Sequence, residues 1–77
     1  MPFVPQISGH RVIRALQKAG FILLRQSGSH AVLRHHTDLS RRAIIPVHGS
    51  KAVKSGTLRA IIRGARIAPE DFAELLK

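Results

Sequence analysis

Two apolar runs, Phe21-Ile22-Leu23-Leu24 and Ala31-Val32-Leu33, stand on either side of the polar pentapeptide Gln26-Ser27-Gly28-Ser29-His30. Short apolar runs joined across a glycine-bearing turn are strand signals, and together they specify a chain reversal. The stretch therefore predicts a β-hairpin with Ser27-Gly28-Ser29 at its tip and His30 where the second strand begins. A ladder holds a side chain at that point on one side and leaves it open on the other. Two readings of His30 stand here: a solvated turn residue with no role, or a positioned acid–base group.

The flanking sequence fixes the fold class. Ser8 suits a helix N-cap, and Val12, Ile13, Leu16 and Ala19 recur at helical spacing, with Arg11, Arg14, Gln17 and Lys18 on the other faces. A helix over 8–19 is expected, ended by Gly20 in a left-handed cap. Strands follow over 21–26, 30–36 and 41–47. In the second, His30, Val32 and Arg34 share one face, and Ala31, Leu33 and His35 take the other. In the third, Ala43, Ile45 and Val47 share a face, and Pro46, which has no N–H to donate, makes this an edge strand or its end. A basic loop, His48 to Gly56, leads to a second helix capped by Thr57, with Leu58, Ile61 and Ile62 buried and Arg59 and Arg63 outside. Pro69 opens a short last helix whose first turn carries Glu70 and Asp71 and whose core face is Phe72, Leu75 and Leu76. The order predicts an α+β domain: a three-stranded antiparallel meander with helices packed on one face. Residues 1–77 read as one domain, with 1–7 as an extended lead-in.

Composition narrows the chemistry. The chain has 77 residues and no cysteine, so neither a disulfide nor a thiol nucleophile is available. Thirteen Lys and Arg against four acidic residues give a net charge of +9. Three of those acids, Glu70, Asp71 and Glu74, lie in the C-terminal tail, so every basic residue except Lys77 precedes residue 70 with Asp38 as the lone counter-charge. Such a density points to a polyanion, RNA or DNA. No apolar run is long enough for a membrane span or a secretory leader, and a cytoplasmic protein is expected.

Lys51 and Lys54 precede the second helix, where free backbone N–H groups favour anions, and Ser55-Gly56-Thr57 allows close backbone approach. This loop reads as a phosphate site or as an ordinary solvated loop. Five histidines raise the question of metal. No HExxH motif or acidic cluster accompanies them, and His35 and His36 are expected on opposite faces of a strand, unable to share an ion. A Ser29-His30-Asp38 triad has no supporting spacing. An acid–base reaction in which RNA supplies its own 2′-hydroxyl needs only a histidine, His30, and cationic partners drawn from Lys51, Lys54 and Arg34.

The blocks Lys18-Ala19-Gly20-Phe21, Arg25-Gln26-Ser27-Gly28-Ser29-His30, Ile45-Pro46-Val47-His48 and Lys54-Ser55-Gly56-Thr57-Leu58-Arg59-Ala60-Ile61 keep an order and spacing that resemble the HicA-type, or YcfA-like, mRNA interferases of bacterial toxin–antitoxin pairs. The resemblance implies a fold similar to a double-stranded-RNA-binding domain. It also implies metal-independent mRNA cleavage with His30 as the catalytic residue, and a HicB-type antitoxin that covers the site. Ala31 departs from the pattern, since many relatives carry a second histidine or another polar residue there. On this reading Lys51, Lys54, Ser29, Arg34 and Thr57 contact RNA or its phosphates. His48 is either a second acid–base group or a structural histidine at a strand end. A non-catalytic double-stranded-RNA-binding module and a basic subunit docking an acidic protein are the competing readings.

Overall fold

The first helix shows how strictly this chain obeys its apolar period. Val12, Ile13, Ala15 and Leu16 are buried while His10, Arg11, Arg14, Gln17 and Lys18 face outward. The Ser8 hydroxyl caps the helix by accepting the Arg11 N–H at 3.4 Å, as the sequence predicts. The computed structural model describes residues 6–77. Its elements are α1 (Gly9–Lys18), β1 (Phe21–Ser27), β2 (His30–His35), β3 (Arg42–Pro46), α2 (Ser55–Ala65) and α3 (Pro69–Leu75). Most of the expected lead-in lies outside the described residues. Of the part within them, Ile7 is a core residue whose carbonyl accepts the Val53 N–H at 2.8 Å.

The sheet is an antiparallel meander in the order β1-β2-β3, so β3 is an edge strand and Pro46 costs the ladder little. The α+β class and the three-stranded sheet with helices on one face agree with the sequence and are consistent with a double-stranded-RNA-binding-domain-like architecture. α1 packs across β1 and β3, α2 lies along β3, and α3 packs on α1. Leu16, Leu33, Ile45, Leu58, Phe72 and Val12 form the fully buried centre. No helix of the described residues is long and apolar enough to cross a membrane.

Two features differ from the sequence-based expectation, and another was not specified by it. α2 begins at Ser55 rather than after Thr57: Lys54 is the N-cap, and its carbonyl accepts the Leu58 N–H at 2.8 Å. Val53 is the cause, because its burial and its hydrogen bond to Ile7 fix the chain direction just before the helix, leaving Thr57 in the first turn. The unspecified feature is that the apolar run of β1 is mostly not core: Phe21 alone is buried, and Ile22, Leu23 and Leu24 are exposed. The second difference is that the rings of His35 and His36 lie side by side, with centroids 4.7 Å apart, not on opposite faces. β2 ends at His35, and beyond it the alternation of a strand no longer applies. The His36 backbone N–H and its ring Nδ1 both hydrogen-bond the Gly20 carbonyl, at 3.0 and 2.8 Å.

Candidate functional site

The hairpin closes with Ser27 opposite His30, which leaves only Gly28 and Ser29 in the loop. Gly28 has φ +57° and Ser29 does not enter the positive region, a pattern that suits glycine at the first position of a two-residue hairpin turn. The Ser29 carbonyl accepts the Val47 N–H at 2.6 Å, so the turn is anchored to the end of β3. His30 is thereby held between Ser27 on one side and Pro46 on the other. Its side chain is exposed, on the face of the sheet that the helices leave open.

The ladder of β1 contains an irregularity between Leu23 and Arg25. Leu23 stands opposite Leu33 and Arg25 opposite Val32, so Leu24 is the extra residue of a bulge. A regular ladder would place Arg25 on the same side as Leu23. The bulge turns Arg25 and Ser27 to the open face, and Ser27 therefore shares that face with His30.

The carbonyl of Pro46 is pressed against the start of α1. A β-carbon at Gly9 would collide with it, so only glycine permits this approach. Pro46 in turn forms one wall of a groove of about 390 Å³ whose other lining residues are His48, Lys51, Ala52, Val53, Lys54 and Thr57. A turn with Gly49 at φ +60°, closed by the Lys51 N–H on the His48 carbonyl at 3.1 Å, folds His48 and Lys51 to the same groove. The first N–H groups of α2, at Ser55, Gly56 and Thr57, open beside it with no side-chain cap at Lys54 and no acidic residue in the first turn. Four of the sequence-predicted residues, His48, Lys51, Lys54 and Thr57, are thus brought together, and His30 and Ser29 flank them across Pro46.

Arg34 is not part of this cluster. It lies on the same face as His30 but four residues along β2, about 13 Å away at the rise of a strand. There it stands opposite Arg42, a residue the sequence reading passed over although its alternation with Ala43 was visible. Asp38 is also remote, beyond the far end of β2. It accepts hydrogen bonds from the Ser40 hydroxyl at 2.7 Å and the Ser40 N–H at 3.2 Å, with Arg66 3.8 Å away. The Ser40 hydroxyl first, then the Ser40 N–H and the charges of Arg66 and Arg41, hold its carboxyl below the ordinary range. Asp38 is therefore not available to orient His30 in a triad.

Among the described residues no cluster of three or more potential metal ligands exists. His35 and His36 are close, but each ring nitrogen Nδ1 is already engaged. That of His35 accepts the N–H groups of Thr37 and Asp38 at 3.2 and 3.1 Å, and that of His36 meets Gly20. The two histidines tie β2 to the turns at its far end.

Compared with protein-family models, residues 9–67 match the HicA toxin of bacterial toxin–antitoxin systems. The chain belongs to the HicA toxin family. It is the toxin component of such a system, and the family implies an antitoxin partner. A search of curated proteins gave no significant match. The matched stretch runs from the first residue of α1 to just past α2, so it includes the hairpin and the basic groove. It leaves out α3, whose Phe72 nevertheless completes the core.

Proposed function

We propose that this HicA-family toxin is a metal-independent endoribonuclease of a type II toxin–antitoxin pair that cleaves mRNA, with His30 as its acid–base residue. The observation that carries the reading is the position of His30: exposed at the fixed end of the hairpin, directly across Pro46 from a groove that collects His48, Lys51, Lys54 and the open N-terminus of α2. A phosphodiester seated in that groove meets two ammonium groups and the backbone N–H groups of a helix start, the arrangement that stabilises charge on a phosphorane. The nucleophile is the RNA's own 2′-hydroxyl. It attacks the adjacent phosphorus as its proton passes to a base, and the 5′-oxygen of the next nucleotide leaves as it takes up a proton. The products of that route are a 2′,3′-cyclic phosphate and a free 5′-hydroxyl.

His30 fills one of the two proton-transfer roles, and His48, on the groove wall, is the candidate for the other. Ser29 and Thr57 line the approach to the phosphate; Arg34, outside the groove, takes no part in the reaction. On this reading the protein acts in the bacterial cytoplasm and is held silent by a HicB-type antitoxin. Purified His30→Ala, incubated with single-stranded RNA and excess chelator, should cleave about 10²- to 10⁴-fold more slowly than the wild type. Cleavage at the wild-type rate by a folded His30→Ala protein would refute the assignment. RNA bound with a steep salt dependence yet recovered intact from the wild type would instead establish a binding module.

A further inference from the structure

The open face of the sheet is a three-by-three grid set by the strand pairing. Its rows are Ser27-His30-Pro46, Arg25-Val32-Ile44 and Ile22-Arg34-Arg42. The first row belongs to the site described above. The other two carry three arginines and three aliphatic side chains with no acidic residue, although soluble proteins rarely leave such a mixture uncovered. Ile44 is 61 % exposed and Ile22 46 %. Arg34 and Arg42 face each other directly across the ladder, a like-charge pairing that costs the isolated fold. The Arg34 Nε is buried with no hydrogen-bond partner among the described residues. Beside Ile44 the surface dips into a groove of about 480 Å³ between β3 and α2, floored by small and aliphatic side chains, Ala43, Ala60 and Ile61 among them.

We infer that these two rows are the docking surface of the antitoxin, and that the segment which binds there brings carboxylates to Arg25, Arg34 and Arg42 and an apolar side chain to Ile44 and its groove. Charge complementarity selects the occupant. A second copy of this chain would set arginines against arginines, at a net charge of +9 on each partner. RNA meets the charge but not the shape, because sheets that read single strands stack bases on aromatic rings, and none of the six positions in these two rows is aromatic. Exposed aliphatic side chains ringed by arginines fit a protein whose apolar anchor is rimmed by acids. A segment lying on these rows also abuts His30, so occupation of one surface closes the other. The inference rests on the toxin–antitoxin reading, but it assigns inhibition and the proton-transfer step to different residues, with Thr57 alone lining both grooves.

The test uses the full chain and the purified product of the adjoining gene, with binding followed by titration calorimetry and cleavage by release of labelled RNA fragments. Ile44→Asp and Ile22→Asp, each at an exposed position and checked for unchanged thermal unfolding, should weaken the complex at least 100-fold. Their RNA cleavage should stay within threefold of wild type but no longer be suppressed by the partner. Ile44→Leu should restore tight binding, and Arg42→Glu should weaken it by a similar factor through charge alone. Affinity within threefold of wild type for both Asp variants would overturn the inference. So would an equal loss of RNA binding in those variants, self-association of the wild type broken by Ile44→Asp, or no complex with the wild type at all. If the wild type binds this partner yet cuts no RNA, the nuclease reading fails while the docking surface stands.

Discussion

Phe72 gives the most direct measure of how the last ten residues bear on the rest of the molecule. It lies outside the stretch that matches the family, on a seven-residue helix, yet its side chain is completely buried. Replacing it with alanine removes a ring and leaves a cavity that the sheet and α1 cannot fill, a change that costs about 3–5 kcal/mol. A domain of this length has a total stability of only about 4–12 kcal/mol at the usual yield per residue. Phe72→Ala therefore consumes between a quarter and all of it. At about 4–8 °C per kcal/mol, the melting temperature should fall by at least 12 °C. The tail's other ties do not compensate. Lys18 Nζ reaches the Leu75 and Lys77 carbonyls at 3.2 and 2.7 Å, and Arg11 reaches that of Leu76 at 3.2 Å, but all three bonds are exposed. Circular dichroism at 222 nm through a thermal ramp reads the effect. A cooperative transition lowered by less than about 5 °C would show that α3 is an appendage and that the core closes without it.

Other perturbations address the site and its surroundings. Gly28→Ala places a β-carbon at φ +57°, a cost of about 1–2 kcal/mol in urea denaturation, and it should slow cleavage as well because that turn positions His30. In a His30→Ala background, which keeps the RNA intact, the double change Lys51→Ala and Lys54→Ala should reduce the slope of log affinity against log salt by about 1.4 for single-stranded RNA; an unchanged slope would remove these lysines from the phosphate contacts. Asp38→Asn should lower the melting temperature near neutral pH. The folded-state carboxyl titrates below its unfolded value, so its stabilisation is complete above about pH 4 and is lost as pH falls through the folded value. The wild-type and Asp38→Asn curves should therefore converge in acid, and a constant offset down to the lowest pH would refute the attribution.

The periodicity of α1, the strand sequence and the Gly-Ser-His turn were legible because each is a local property: side-chain spacing, capping chemistry and the conformational freedom of glycine act within a few residues. The same holds for Ala43, Ile45 and Val47 as the covered face of β3, and for His30, Val32 and Arg34 as one face of β2. Local rules failed where a distant contact took precedence. Thr57 has the chemistry of a cap, but Val53, seated in the core and bonded to Ile7, moves the cap to Lys54 and starts the helix three residues earlier. His35 and His36 would diverge on a strand, but β2 ends at His35, and the Gly20 carbonyl holds the His36 ring beside that of His35 through a second hydrogen bond.

Sequence alone determined which residues could act: a histidine at a turn, a basic loop before a helix, and no thiol. It did not determine which of them would meet. Pro46 joins His30 to the groove of His48, Lys51 and Lys54 only because β3 pairs with β2 in one register and α1 presses Gly9 onto its end. Arg34 was separated from that group, and paired instead with Arg42, by the same register. The apolar run of β1 announced a strand but not its exposure, which depends on where the helices pack. Spacing along the chain fixes faces and caps; register and packing between elements fix distances, and a reactive site is a set of distances.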